Sequence, residues 1–411
     1  KVKLDKINLD YRNDVSAFYT EADLGTLEVN ANTFDMSNRV IDLDKILLAN
    51  TNAKIRLGKK AEAKVVEKEL EQELEVQAEA GWRILVRSVD IENNDLQFDN
   101  DNSAPTKRGM DYAHLDAKDF NLSGGDLLIA TDTISGNINK ASFSEQSGFT
   151  LNALRTEFAY TTTGSYLRDL YIETPGTRLQ RQAEIRYASI DALSRDIGNM
   201  ELDLDIEGSR VLVKDVLTFV PSLQAQPAFA DPSAVWHLNG RITGKVKDLN
   251  IHSLQVQGLQ DTRMDIAGRI KGLPTMKDMQ ADLAIREIRS SRRDITRFVP
   301  ANSFPKQITL PATLRASGKI TGNSNRMQTD IRLATDLGNA TVNGVFSEFD
   351  DPSKMGYQAK IETGSIQLGT ILQNKMLGPV SLSVTANGKG VDPKTANAMF
   401  DGVIHSAAYN N

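Results

Sequence analysis

Apolar and polar residues alternate one by one along much of the chain. From Trp236 to Val246 the even positions are apolar or glycine, and the odd positions from His237 to Lys245 are polar. Because successive side chains of a strand point to opposite faces, this pattern predicts strands with one apolar and one charged face. Such strands are typical of an antiparallel sheet. The same alternation recurs at 202–207, 263–271, 314–320, 327–333 and 380–384.

The stretch 59–81 has a different pattern. Lys59 to Ala80 is rich in helix formers and ends before Gly81, and Val66, Leu70 and Leu74 follow one another at helical spacing. A partner-docking or lid helix would fit this spacing. The apolar stripe is narrow, however, and favours a charged, solvated helical insertion or loop between two strands.

Internal repeats organise the rest of the chain. In the N-terminal part, Leu9–Asp14 is echoed by Leu96–Asp101 at an offset of 87 residues, and Ala31–Ser37 by Ala117–Ser123 at an offset of 86. Two matches at nearly one offset indicate a repeat.

A second series follows in the C-terminal part. The segment Asp215–Pro221 (DVLTFVP) is echoed 79 residues further on by Asp294–Pro300 (DITRFVP), with a weaker third copy at Leu368–Gln373. An alternating strand precedes each copy, so each unit is several strands plus one short apolar helical turn. The chain is predicted to be a continuous array divided into 1–58, an insertion at 59–81, 82–173, a joint at 174–198, and further repeats at 199–278, 279–354 and 355–411.

Strands with one apolar face must bury that face, and the repeats limit the folds in which they can do so. A β-helix has shorter rungs than these repeats, and separate sandwiches usually carry a large core anchor and a linker in each domain. Here Trp236 has no counterpart, because Leu314 stands at the aligned position. The predicted fold is therefore all-β: an elongated, open, curled antiparallel sheet with an apolar concave face and a few short helices.

An open apolar trough of this size needs a ligand. An aliphatic lining suits acyl chains, and a uniform lining lets a chain slide with little change in energy. The residues predicted to line the groove are Leu202, Leu204, Ile206, Trp236, Leu238, Ile242, Val246, Leu254, Val256, Met264, Ile266, Ile270, Leu283, Ile285, Leu314, Ala316, Ile320, Met327, Ile331, Leu333, Val380, Leu382 and Val384.

Composition narrows the function classes. The chain has 411 residues, no cysteine and a formal net charge of −6. The absence of cysteine excludes disulfides and zinc–thiolate sites, and the acidic balance argues against nucleic-acid binding. No apolar run approaches the length of a membrane span. The chain starts at Lys1 within a strand-like pattern, and we expect it to be a piece of a longer protein whose anchor lies elsewhere.

The sequence contains no recognisable catalytic or metal-binding motif. His114, His237, His252 and His405 are scattered, and paired acids such as Asp203 and Asp205 fit a charged strand face. Gly318-Lys319 is followed by Ile320, where a phosphate loop needs Ser or Thr. The basic pair Arg292-Arg293 fits a solvated turn better than a lipid headgroup site. We expect no enzyme activity, no cofactor and no metal.

Two segments carry a family resemblance. Trp82–Val86 and Ile91–Phe98 resemble the strand signature of AsmA-like proteins, and the strand–Gly–strand units from about residue 200 are similar to those of the TamB group of the same bacterial envelope family. The resemblance covers nearly the whole chain. It implies a repeating β-groove, or β-taco, of the bridge-like lipid-transfer class.

The resemblance also implies where such a protein acts. It would bridge the inner and outer membranes of a diderm bacterium through segments absent from this chain, and carry phospholipid acyl chains through the periplasm. An Omp85-type outer-membrane barrel is an implied partner. The alternative is a structural scaffold that helps insert outer-membrane β-barrels, or a surface β-repeat adhesin, in which sheet edges bind other strands.

Overall fold

The chain folds almost entirely into β-strands that form two compact units. The computed structural model describes residues 1–59, 81–259, 261–298, 308–348, 353–390 and 396–409. Unit 1 comprises Lys1–Ala192 and Gly208–Ala225, and unit 2 comprises Leu193–Glu207 and Gln226–Asn411.

The strands follow one another with short connections. The first twelve are β1 (Val2–Asn13), β2 (Phe18–Asp35), β3 (Val40–Ala49), β4 (Asn52–Leu57), β5 (Arg83–Asn100), β6 (His114–Ile129), β7 (Thr133–Glu145), β8 (Thr150–Thr161), β9 (Gly164–Glu173), β10 (Arg178–Arg186), β11 (Glu201–Asp205) and β12 (Ser209–Leu212). The others are β13 (Val235–Lys245), β14 (Asp248–Gly258), β15 (Thr262–Lys271), β16 (Gln280–Ser291), β17 (Thr313–Asn323), β18 (Arg326–Thr335), β19 (Gly338–Ser347), β20 (Gly356–Thr363), β21 (Ile366–Gln367), β22 (Leu377–Lys389) and β23 (Asn397–Tyr409).

Within the described residues, helices are few and short. They are α1 (Ala192–Arg195), α2 (Val213–Phe219), α3 (Arg292–Phe298) and α4 (Leu368–Ile371), with 3-10 turns at Ile197–Asn199, Pro221–Ala225, Pro227–Phe229 and Met276–Asp278. Helices α2, α3 and α4 begin directly after β12, β16 and β21, and they fall on the three copies of the C-terminal sequence repeat. The repeat is therefore a strand that runs straight into a helical turn.

Unit 1 contains β1 to β10 and β12. The long strand β2 pairs antiparallel with β1 on one side and with β3 and β4 in succession on the other. From β5 to β10 the strands form an antiparallel meander, and β12 adds to β10.

One part of unit 1 departs from the expected antiparallel pattern, because β3 and β4 both run parallel to β5. Two consecutive parallel strands need a long connection between them, and the segment between β4 and β5 is long enough for this. The fully buried Asn94 closes the break between β3 and β4. Its side chain accepts a hydrogen bond from the Thr51 amide at 2.9 Å and donates one to the Leu48 carbonyl at 3.1 Å.

Unit 2 contains β11 and β13 to β23, and every pair in it is antiparallel. β11 pairs with β13, the meander continues to β20, β22 pairs with β20 and β21, and β23 pairs with β22. Buried apolar residues are spread along the strands and many are small, such as Ala281, Ala316 and Ala386.

The predicted fold class is confirmed: the described part of the chain is all-β, and each unit contains mainly antiparallel sheet with a few short helices. The predicted charged helical insertion at 59–81 lies, except for its two end residues, outside the described residues. The boundaries of the predicted repeats stay predictions.

An aspartate ties two of the repeat helices to a neighbouring hairpin turn. In unit 1 the Asp215 carboxylate accepts hydrogen bonds from the hydroxyls of Thr174 and Thr177 at 2.6 and 2.5 Å. In unit 2 the fully buried Asp294 accepts from the Asp261 amide at 2.9 Å and the Thr262 hydroxyl at 3.0 Å. The repeated aspartate therefore has a structural role at both sites.

Candidate functional site

Unit 2 carries a broad apolar face built from residues of successive strands. Residues paired directly opposite each other on antiparallel strands have side chains on the same face, so the strand register defines rows that cross the unit. The first row contains Leu202, Gly244, Leu249, Ile270, Ala281, Gly322, Met327, Phe346, Tyr357, Gly388 and Ala398.

Three further rows run beside the first. The second contains Leu204, Ile242, Ile251, Gly268, Leu283, Ile320, Thr329, Gly344, Ala359, Ala386 and Phe400. The third contains Gly240, Leu254, Ile266, Ile285, Gly318, Ile331, Val342, Ile361, Val384 and Gly402. The fourth contains Leu238, Val256, Met264, Ile288, Ala316, Leu333 and Ala340.

Most side chains of this face remain partly accessible. Among the residues predicted to line a groove, Ile285, Ala316 and Val380 are buried at 5–8% exposure, and the others are half-buried. A second layer packed on the face would bury them fully, as in a sandwich. The face is therefore apolar, continuous along the sheet and accessible.

Some of the predicted residues lie outside the four rows. Trp236 stacks on Phe229 with ring centroids 6.3 Å apart, at the end of β13. Ile206 and Val246 follow the ends of β11 and β13, and their amides bond to the carbonyls of Gly240 and Met200. Leu314 pairs with Ser290, and Leu382 and Val380 pair with β23.

The opposite face of unit 2 is charged. Cross-strand ion pairs connect its strands, including Arg241 with Asp203 at 3.2 Å and Lys319 with Asp282 at 2.9 Å. The hydrogen bond from Arg269 lowers the pKa of Asp248, and these two groups also lie on neighbouring strands. The side chains of these pairs are exposed, so the charged face is solvated. Exposed ion pairs contribute little to stability.

Glycines on the apolar face occupy strand positions. Gly240 and Gly244 lie in β13 and Gly318 lies in β17. Gly318 has a φ of 146°, and a Cβ atom there would collide with the carbonyl oxygen of Asp330 on β18. Only glycine suits this position. The close approach of the two strands therefore explains the glycine of Gly318-Lys319, and no phosphate-binding role is needed.

Unit 1 contains an apolar pocket that the sequence reasoning missed. Its volume is about 430 Å³, within the usual range for small-molecule sites. Four strands and one loop contribute walls, so no single stretch of sequence reveals it. The lining residues are Ala53, Ile55, Leu96, Gln97, Phe98, Met110, Tyr112, Leu115, Ala117, Phe120, Phe143 and Glu145.

The loop between β5 and β6 forms one wall of this pocket and is held by Asp111. The Asp111 carboxylate accepts hydrogen bonds from the Thr106 amide at 2.7 Å and the Ala113 amide at 3.1 Å, and contacts the His114 ring at 3.2 Å. These donors, the Thr106 amide first, hold the pKa of Asp111 below its ordinary value. Met110 and Tyr112 flank Asp111 and reach the pocket.

The pocket is connected to the repeat helix of unit 1. Phe120, Phe143, Phe149 and Phe219 form a series of ring contacts with centroids 5.0–6.0 Å apart. The Met110 amide also donates to the carbonyl of Thr218 at 2.6 Å. Helix α2 therefore packs beside the pocket and braces the loop that lines it.

The single acid in the pocket lining, Glu145, is hydrogen-bonded to the backbone. Glu145 is buried, and its two oxygens accept hydrogen bonds from the amides of Asp116 and Ser147. Its charge is therefore satisfied by the backbone, and the rest of the lining is almost entirely apolar. The pocket is chemically suited to binding a hydrocarbon.

The four histidines lie apart. His114 contacts Asp111, His252 lies 2.8 Å from the Thr243 hydroxyl, His405 lies 3.0 Å from the Ser383 hydroxyl, and His237 is exposed. Across the described ranges, no three His, Asp or Glu side chains come together as metal ligands do. Within the same ranges, every helix is too short or too polar to cross a bilayer.

Several residues of the apolar face were not predicted although they obey the same alternation. Leu249 and Ile251 precede a bulge in β14, and Ile288 follows a bulge in β16, where the period of two shifts by one position. Val342 and Ile361 lie on regular strands, and simple alternation identifies them.

No protein-family model matches the chain, and no curated protein or solved structure matches it either.

Proposed function

We propose that the chain is a non-enzymatic lipid-transfer module that carries phospholipid acyl chains along its apolar surfaces. The observation that supports this most directly is the apolar face of unit 2, whose four rows of mainly aliphatic residues the described part of the chain leaves partly exposed. Burying hydrocarbon on such a surface contributes about 0.8 kcal/mol per CH₂ group. A ligand that is itself a chain of CH₂ groups suits this face best.

The uniformity of the face favours transfer over storage. The rows consist mainly of Leu, Ile, Val, Met, Ala and Gly, and their polar members are Thr329 and Tyr357. A hydrocarbon that moves by one row therefore exchanges similar contacts for similar contacts. Tight storage would require polar groups that fix one position of the ligand.

The resemblance to AsmA-like proteins supports a bacterial envelope location for this proposed activity. On this proposal the chain is a TamB or AsmA-like periplasmic segment, anchored and joined to the two membranes by segments outside it. Its lipids would serve the outer membrane, with an Omp85-type barrel as a partner. The apolar pocket of unit 1 would take an acyl chain of the same lipids.

A structural scaffold is the second candidate, and the edge strands favour it. Within the described residues β1 pairs only with β2, and β23 only with β22. Phe400 and Ile404 on β23 are 66% and 65% exposed, and Leu9 on β1 is 52% exposed. Long apolar edge strands accept other strands, as an assembly factor for β-barrel proteins would.

Extraction of bound lipid separates the two candidates. The transfer proposal predicts that organic extracts of the purified chain contain phospholipid in near-stoichiometric amounts by mass spectrometry. The Ile320→Asp variant should retain several-fold less, because a carboxylate on the apolar face is costly to cover with hydrocarbon. The matched control Lys319→Asp changes the adjacent residue on the charged face and should retain the normal amount. Lipid-free wild type, or equal loss in both variants, would favour the scaffold.

A further inference from the structure

Three arginines lie side by side on the charged face of unit 2. Arg263 on β15 pairs directly with Arg289 on β16, which pairs with Arg315 on β17, and all three are exposed. We call Arg263, Arg289 and Arg315 the arginine row. Directly opposite Cβ atoms lie about 5 Å apart, and like charges at this distance destabilise a sheet. A row of this kind therefore calls for an explanation other than stability.

Carboxylates neutralise only part of this charge. The acids beside the row are Asp265 and Glu287, which pair with Arg286 at 3.4 Å and with Arg315 at 3.1 Å. Arg263 and Arg289 make no ion pair with any residue that the structure describes. Among the described residues, two arginines without an ion-pair partner therefore lie next to each other, in a chain with a net charge of −6.

The row lies at one end of its strands, close to the rim of the sheet. Thr262 begins β15, Ser291 ends β16 and Thr313 begins β17. Helix α3 starts at the same rim with the exposed Arg292, whose amide donates to the Ala312 carbonyl at 3.0 Å. The neighbouring Thr309 amide donates to the Ile371 carbonyl at 2.8 Å, which joins α4 to this rim.

Exposed apolar side chains lie beside Thr309 and Ile371, the two residues whose hydrogen bond joins α4 to this rim. Ile308, Leu372 and Met376 are 36%, 41% and 43% exposed, and the exposed Lys375 lies between the last two. The binding of a small soluble phosphate does not require exposed apolar side chains. Cations interspersed with apolar side chains are typical of surfaces that contact the interface of an anionic membrane.

We propose that this rim of unit 2 binds the surface of an anionic lipid bilayer. The guanidinium groups of Arg263 and Arg289 donate paired hydrogen bonds to headgroup phosphates, a geometry that arginine suits. Ile308, Leu372 and Met376 enter the headgroup region. The inference does not depend on the proposed transfer function, since a scaffold at a membrane would use the same contact.

Vesicle flotation of the full chain tests this proposal. The wild type should float with vesicles of mixed phosphatidylglycerol and phosphatidylcholine, less so at high salt, and should not float with phosphatidylcholine alone. The double variant Arg263→Ala/Arg289→Ala should bind the anionic vesicles about tenfold more weakly. The double variant Leu372→Ser/Met376→Ser should also weaken binding, at every salt concentration.

A matched control carries the same loss of charge elsewhere on the charged face. Arg241→Ala/Arg269→Ala removes two arginines that pair with Asp203 and Asp248, and it should bind within twofold of the wild type. Equal losses in the two arginine variants would overturn the proposal, and so would full competition by excess glycerol 3-phosphate, which would indicate a soluble phosphate site. Thermal unfolding of Arg263→Ala/Arg289→Ala should occur at or above the wild-type midpoint, because repulsion is relieved. A lower midpoint would contradict the conclusion that Arg263 and Arg289 repel each other.

Discussion

Single polar side chains hold the irregular parts of this sheet in place. Asn94 closes the break between β3 and β4, and Asp111 holds the loop that lines the unit 1 pocket. Both act on backbone groups that the strand ladder leaves without partners, and such groups are costly when buried. Asn94 belongs to the segment that resembles the AsmA-like signature, so a structural need accounts for at least one residue of that pattern.

Asp111 makes the pocket loop sensitive to acid. Its pKa is lowered in the folded chain, above all by the Thr106 amide. The stabilisation is therefore complete above the unfolded pKa of about 3.9 and is lost as the pH falls through the lower folded value. We expect hydrogen-exchange protection of the Thr106 and Ala113 amides to be constant near neutral pH and to fall below about pH 4. In Asp111→Asn it should be reduced already at neutral pH, and unchanged protection there would rule out this role.

At the scale of elements, the recurrent helical turn is explained by its aspartate. Asp294 on α3 reaches the turn between β14 and β15, and Asp215 on α2 reaches the turn between β9 and β10. The echo between Asp215–Pro221 and Asp294–Pro300 thus corresponds to a repeated contact, in which the aspartate of the helix accepts hydrogen bonds from a hairpin turn. Its apolar residues serve packing, as Phe219 does against Phe149.

Removing the aspartate of α3 should destabilise unit 2 strongly. Asp294→Ala leaves the Asp261 amide and the Thr262 hydroxyl without their charged acceptor, and we expect the free energy of unfolding to fall by about 2–3 kcal/mol. Asp261→Ala is the matched control, because the side chain of Asp261 is exposed and only its amide is used. Denaturant unfolding measures both. A loss below about 0.5 kcal/mol in Asp294→Ala, the range of ordinary surface changes, would refute the role.

Strand positions and faces followed from local alternation, whereas long-range pairing did not. Nothing local indicates that β3 and β4 run parallel to β5. The two N-terminal echoes are also not equivalent in register. Leu96 pairs with Ala117, which echoes Ala31, but Leu9 pairs with Ala22. The unit 1 pocket was missed for the same reason, because residues as distant as Ile55 and Phe143 meet only through the sheet.

For the whole molecule, the common feature of the two units is accessible apolar surface. Unit 1 has a pocket of about 430 Å³ and unit 2 has a face crossed by four apolar rows. The low aromatic content, 6% of residues, is consistent with a lining made mainly of aliphatic side chains. In unit 2 the charged face, with its arginine row, lies on the opposite side of the sheet from the apolar face.

Site-specific photo-crosslinking in cells tests the central claim most directly. A benzophenone amino acid is placed at Ile320 on the apolar face, at Tyr112 in the unit 1 pocket, and at Lys319, the neighbour of Ile320 on the opposite face. Lipid transfer along the apolar surfaces predicts phospholipid adducts at Ile320 and Tyr112 and few at Lys319. Equal labelling at Ile320 and Lys319, or adducts at neither Ile320 nor Tyr112, would contradict it.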